Sequence, residues 1–118
     1  MNLMLFVFSA ALGGFARFAL EYYLPPVGSS AFPRATWLVN VAGAFLLGIV
    51  IALPGHWQII LGLGFCGAMT TFSGVSLQLH RRLAASAYWP AMIYALSLIS
   101  SGVIAAGIGI VFGRYLFN

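Results

Sequence analysis

The chain has 118 residues, 63% of them hydrophobic and only 5% charged, with a mean hydropathy of +1.06. Soluble domains carry about 25% charged residues, so the composition excludes a water-soluble globular protein and places the chain in a membrane. All five basic residues are scattered arginines and Glu21 is the sole acid, so the net charge of +4 gives none of the clustered basic surface that nucleic acid requires.

A spanning helix needs about 20 apolar residues. The length therefore accommodates four transmembrane helices with short loops: one all-α integral membrane domain over residues 1–118, multi-pass in the cell inner membrane and coated by membrane lipid. The first span runs from about Asn2 to Leu24. No basic region precedes it and it contains Arg17, which argues against a cleaved signal peptide. It stops at Pro25-Pro26, since proline removes a backbone donor and clashes with the preceding turn. Ser9, Gly13, Arg17 and Glu21 recur every fourth residue on one face. Arg17 and Glu21, one turn apart, are expected to pair; alternatively Arg17 supplies positive potential at an anion entrance, as a charge within a span suggests.

A loop rich in Gly, Ser and Pro leads to the second span, about Arg34 to Leu53, closed by the turn signal Pro54-Gly55. Asn40, Ala44 and Gly48 form an i, i+4 stripe on it. Asn40 lies two turns in, and hydrocarbon satisfies neither its donors nor its acceptor. Its amide either makes an interhelical hydrogen bond that fixes packing or donates to a substrate.

The third span, about Trp57 to Leu79, holds the least ordinary segment: Gly64-Phe65-Cys66-Gly67-Ala68-Met69-Thr70-Thr71-Phe72-Ser73-Gly74-Val75-Ser76. Glycines and hydroxyls at mid-membrane depth predict a broken helix, because non-helical backbone survives there only inside protein or beside an aqueous path. The competing reading is a close helix contact with hydroxyls bonded back to the preceding turn. Cys66 has no partner for an internal disulfide and reads as a small buried thiol. His80-Arg81-Arg82 reads as a solvated loop, and His56 falls in a turn.

The fourth span runs from about Tyr88 to Leu116 with a second small-residue stripe, Ala105, Gly109 and Gly113. Such stripes let helices approach closely where hydrophobic burial cannot drive them together. Tyr94, Ser97 and Ser101 share one face. With Thr71, Ser73 and Ser76 they offer many hydroxyls and no carboxylate, an inventory that suits a small anion; any one serine alone is better explained by back-bonding. Trp37, Trp57, Trp89, Tyr22 and Tyr23 sit near predicted span ends, as an interfacial aromatic belt requires. No catalytic constellation is present, so no enzyme is expected. Four helices enclose too little interior for a pathway, and a dimer is the natural solution.

These residues resemble the Fluc family of small fluoride channels, also called CrcB. The resemblance spans all four helices and is carried by Leu38-Val39-Asn40-Val41-Ala42-Gly43-Ala44-Phe45-Leu46-Leu47-Gly48, by Gly64 to Ser73, and by Gly13-Gly14-Phe15-Ala16-Arg17-Phe18. It implies an antiparallel, dual-topology dimer with two pores, passing fluoride passively. It further implies a pore built from Asn40, Phe72 and a hydroxyl track, with Arg17 on the first span and Tyr94 on the fourth. A structural sodium ion is implied at the subunit interface, bound by the carbonyls of Gly67 and Thr70. The chain departs from the family after Ser73: Val75 stands where a second phenylalanine is expected, and Gln78 where a glutamate is expected.

Two other readings compete. A small multidrug-type proton-coupled exporter needs a membrane-embedded glutamate near the middle of span one, whereas Glu21 is near its end. A non-transporting assembly subunit needs only the small-residue stripes. Orientation adds a further expectation: Arg17, Arg34, Arg81 and Arg82 fall towards loops one and three, and only Arg114 towards the termini. The positive-inside bias then favours one orientation, with loops one and three cytoplasmic, and a partnership with an oppositely oriented homologue in place of the plain homodimer.

Overall fold

The computed structural model describes residues 2–25 and 31–117. Pro26 and the Gly-Ser part of loop one lie outside the described residues. Every regular element among those described is helical: α1 (Leu3–Tyr23), α2 (Arg34–Val50), a third span Gly55–Ala84, and α6 (Tyr88–Phe117). The third span is composite. It comprises α3 (Gly55–Trp57), a π-helical stretch Gln58–Cys66, α4 (Gly67–Met69) and, beyond a break at Thr70–Thr71, α5 (Phe72–Ala84).

Leu3–Tyr23, Gly55–Ala84 and Tyr88–Phe117 are long and apolar enough to cross a membrane. The 17 residues of α2 rise about 26 Å at 1.5 Å per residue, at the short end of what a hydrocarbon core demands. The turn that follows it is tied down by the Gln58 amide, which donates to Ile51 O and Leu53 O, both at 2.9 Å. Asn2 caps α1 by accepting from the Met4 N–H at 3.1 Å, the usual N-cap device.

The bundle is two pairs of helices. α2 packs on α6 along the two small-residue stripes: a Cβ on Gly109 would collide with the Phe45 carbonyl, and one on Gly48 with that of Ala106. α1 packs on the first arm of the third span through its own stripe. Ser9 Oγ donates to Ile60 O at 2.8 Å, Gly13 lies against the Phe65 backbone, and Arg17 Nη1 reaches Thr70 O at 3.4 Å. Every fourth residue of α1 thus meets every fifth residue of its partner. That register follows from a partner whose turns close i→i+5, as Gly67 N–H to Gly62 O shows.

The interior is small and the exterior apolar. Val39, Ile60, Cys66, Met69 and Tyr94 are buried, while long runs of large hydrophobic side chains on α1 and α6 are exposed. An apolar surface of this extent suits lipid or another subunit, not water.

The third span outruns its expected end at Leu79. His80-Arg81-Arg82 is helix and not a loop, since α5 continues to Ala84; His80 and Arg81 are exposed as expected, whereas Arg82 is 1% exposed. The reason is that both terminal nitrogens of its guanidinium find acceptors. Arg82 Nη1 donates to Gln78 O (2.8 Å) and Gln78 Oε1 (3.0 Å), Nη2 donates to Ala31 O, and the guanidinium lies over the Tyr94 ring at 5.6 Å. A buried cation is tolerated when hydrogen bonds replace its water.

Candidate functional site

The break follows from a competition for backbone partners. Thr70 N–H still bonds to Cys66 O at 2.9 Å, and Thr70 Oγ1 donates to the same carbonyl at 2.9 Å. Beyond that point Thr70 (φ −76°, ψ 157°) and Thr71 (φ −149°, ψ 118°) are extended. Among the described residues no backbone N–H past Thr70 reaches back into α4.

An orphaned peptide at mid-membrane is costly, and Asn40 answers it. Thr71 N–H donates to Asn40 Oδ1 at 3.1 Å, and Asn40 Nδ2 donates to Thr71 O at 3.3 Å and to Thr36 O at 2.8 Å. Both polar groups of one peptide residue are held by one amide from α2. Asn40 is therefore an interhelical tie, with the longer of its two donated bonds lying at the break.

Thr71 also restarts the helix. Its Oγ1 accepts from Gly74 N–H at 2.9 Å and contacts Ser73 Oγ at 3.1 Å, an N-cap that fixes the direction of α5. Phe72, its first residue, stands 85% exposed and projects beside a groove of about 490 Å³. Asn40, Thr70, Thr71, Val75, Leu98, Ile99 and Gly102 also line that groove. On the other side of Thr71, a cavity of about 440 Å³ opens towards loops one and three, lined by Glu21, Pro33, Thr36, Ser73, Gly74, Gln78 and Arg81 among others. Thr71 is common to both, so the break is a thin partition between a polar cavity and a mostly apolar groove.

The structure thus brings together Asn40, Thr70, Thr71, Phe72, Ser73 and, through the Thr70 carbonyl, Arg17. Arg17 does not pair with Glu21: its guanidinium turns to Thr70 O, because an unanswered carbonyl at a helix C-terminus is a nearby acceptor carrying partial negative charge. Ser76 is exposed on α5 and lines neither space. Tyr94, Ser97 and Ser101 lie elsewhere. Tyr94 is fully buried against Phe32 and Arg82, Ser97 Oγ accepts from Trp37 Nε1 at 3.1 Å, and Ser101 Oγ donates back to Ser97 O. Gly67 ends the π-helical stretch, its own N–H bonded to Gly62 O and Gly64 O.

Sequence reasoning missed the π-helical stretch and the burial of Arg82. The spacing of Gln78 and Arg82, four residues apart and hence neighbours on one helix face, was the available signal for the second.

Residues 4–110 match the family described as CrcB-like protein, Camphor Resistance (CrcB). The chain is 37% identical over 109 residues to the fluoride-specific ion channel FluC 2 of Bacillus thuringiensis subsp. konkukian, covering 87% of this chain and 92% of that one. It is 34% identical over 114 residues to the fluoride-specific ion channel FluC 1 of Listeria innocua serovar 6a, covering 95% and 97%. It is 35% identical over 111 residues to FluC 1 of Leifsonia xyli subsp. xyli, covering 89% and 81%.

Proposed function

This chain belongs to the CrcB family, and from that premise we propose that it is a passive, fluoride-selective channel that lets fluoride leave the cell down its electrochemical gradient. The observation that carries the reading is the Asn40–Thr71 tie, which holds a helix break open between a polar cavity and the groove beside Phe72. Fluoride is small and strongly hydrated, so passage requires donors that replace its water. Threonine and serine hydroxyls and the positive edge of an aromatic ring supply these without a tightly binding fixed charge. No carboxylate lines the groove, and the sole acid, Glu21, sits at the far cavity, near the end of α1. That position disfavours a proton-coupled cation exporter, which needs its acid at mid-membrane.

The channel unit in this reading is an antiparallel dimer. One chain measures 47 × 29 × 19 Å, about two helix diameters thick, and leaves Phe72 and its groove on the outside. A second copy would wall the groove and create two equivalent pores. Among the described residues no cluster of acids, histidines and cysteines suits a metal. The carbonyls at the end of α4 suit a hard monovalent cation instead. Gly67 O and Thr70 O would form half of a sodium site whose remainder the second copy supplies. The 3.4 Å contact from Arg17 is long for a hydrogen bond and leaves Thr70 O a free lone pair.

One observation favours a variant of this assembly. Val75 lines the Phe72 groove where the resemblance leads one to expect a second aromatic ring, and the arginine distribution favours a single orientation. A pairing with an oppositely inserted homologue accommodates both, since one ordinary pore would suffice.

Purified protein in liposomes tests the function directly. Fluoride efflux with negligible chloride efflux is the expected result, and fluoride retention by protein-containing vesicles rejects the channel.

A further inference from the structure

The end of loop one and the first turns of α2 border a third space, apart from the break. It is an open groove of about 380 Å³ lined by Leu24, Phe32, Arg34, Trp37, Leu38 and Ser97. It shares no lining residue with the groove at Phe72, which is the one the proposed second copy would wall. Its back is preformed: Phe32 meets Trp37 and Tyr94 edge-on, with ring centroids 6.2 and 5.7 Å apart. The bond from Arg82 to Ala31 O anchors the backbone just ahead of Phe32.

The wall is almost wholly apolar. Its two polar ring and hydroxyl groups answer each other, Trp37 Nε1 donating to Ser97 Oγ at 3.1 Å. Arg34 is the exception. It is the first residue of α2 and exposed, and its guanidinium bonds to no described residue, whereas those of Arg17 and Arg82 both find carbonyls. Glu21, the sole acid of the chain, lines the other cavity, so this groove keeps a net positive charge. Leu38 lies four residues further along α2, about 6 Å deeper at 1.5 Å per residue.

Charge and shape together select the ligand. A guanidinium pairs with phosphate through parallel N–H bonds, but the wall below it offers a free inorganic anion no donor at all. Hydrocarbon suits that wall and gains nothing from the arginine. A molecule with phosphate at one end and an acyl chain at the other satisfies both halves. We propose that this groove binds an anionic phospholipid, with the phosphate on Arg34 and the upper part of one acyl chain along Phe32, Trp37 and Leu38. The site stands apart from the fluoride reading, since it includes neither the break nor the cavities on either side of Thr71.

The melting temperature of the purified protein tests this in detergent micelles doped with phosphatidylglycerol, or with phosphatidylcholine of the same chains. A ligand of the folded state raises the midpoint by mass action. Phosphatidylglycerol is expected to raise it further than phosphatidylcholine, and glycerol phosphate, a headgroup without chains, to leave it unmoved. Arg34→Gln should shift the half-maximal effect to about fivefold more phosphatidylglycerol, the loss of one arginine's attraction to an anionic surface. Arg114→Gln makes the same charge change in the last turn of α6 and should leave the response as in the parent. Leu38→Trp fills the apolar half while keeping Arg34, and should weaken the response as well. Equal responses to the two lipids, or equal losses in Arg34→Gln and Arg114→Gln, overturn the site. So does a full response to glycerol phosphate, which would mark a free-anion contact, or an undiminished response in Leu38→Trp.

Discussion

Asn40 holds both backbone polar groups of Thr71, accepting from its N–H at 3.1 Å and donating to its C=O at 3.3 Å. One side chain on α2 thereby replaces two of the helical bonds that the third span gives up, and the break becomes a fixed feature of the bundle. Position 40 is consequently scaffold and, in the proposed channel, also wall, and its substitutions separate by charge.

Asn40→Asp is expected to abolish fluoride flux. The carboxylate keeps the acceptor for Thr71 N–H but sets negative charge against the Thr36 and Thr71 carbonyls and repels an anion in low dielectric. Asn40→Ala leaves the Thr71 peptide unsatisfied, at a cost of about 1–3 kcal/mol, and should lower the thermal midpoint in detergent. Flux equal to the parent's in Asn40→Asp would remove the residue from the anion path.

Phe72 offers the cleaner functional probe because it supports nothing within its own chain: it is 85% exposed. Phe72→Ile should leave the assembly's size-exclusion profile and melting temperature within error and reduce fluoride efflux at least about tenfold, on the order of one lost hydrogen bond to a charged group. Full efflux from the isoleucine variant would show that the ring edge plays no part.

How far the sequence led can be judged at three residues. Thr70 and Thr71 announced the break because hydroxyls and glycines cluster at a depth where they have no other explanation, and the structure breaks the helix there. The stripes on α2 and α6 announced close helix contacts for the same kind of reason, but not that the two helices pack on each other. Arg82 was misread because charge near a span end ordinarily marks solvent. The i, i+4 spacing to Gln78 hints at its bonds within the helix, but its third acceptor, Ala31 O, lies 51 residues away, where no local pattern points. The π-helical register was equally hidden, for it arises from the fit of α1 against Gln58–Cys66 and not from composition.

The packing reading has its own test. Gly109→Leu places a side chain where the Phe45 carbonyl stands, and backbone atoms cannot step aside as a side chain can. Destabilisation of at least about 2 kcal/mol is expected, seen as aggregation in detergent or loss of membrane yield. Gly107→Leu is the matched control, since nothing lies within 4 Å of a Cβ there, and it should behave as the parent does.

The sodium proposal predicts a stability that depends on the cation. An ion that binds the folded assembly raises its melting temperature with concentration through mass action, so the midpoint should climb as sodium replaces a large organic cation at constant ionic strength. Arg17→Met removes a positive charge lying 3.4 Å from Thr70 O and should tighten sodium binding severalfold, shifting the climb to lower concentration. A melting temperature indifferent to sodium in both proteins would dismiss the site.

Orientation is decided by counting arginines on each side of the membrane. Arg34 begins α2, and Arg81 and Arg82 end α5, all towards loops one and three, whereas Arg114 lies in the last turn of α6. Burial of Arg82 does not cancel its vote, because the bias acts during insertion, before the guanidinium finds Gln78 and Ala31. Three arginines against one should place loops one and three in the cytoplasm in most molecules. Cysteines introduced in the Ala85–Ala87 turn, on a background with Cys66 changed to serine, report this through a membrane-impermeant thiol reagent applied to intact cells. Protection of that turn, with labelling of a cysteine placed at Pro54, is the expected result and supports a fixed orientation with a separately inserted partner. Equal labelling of the turn from both faces would establish dual insertion and restore the homodimer.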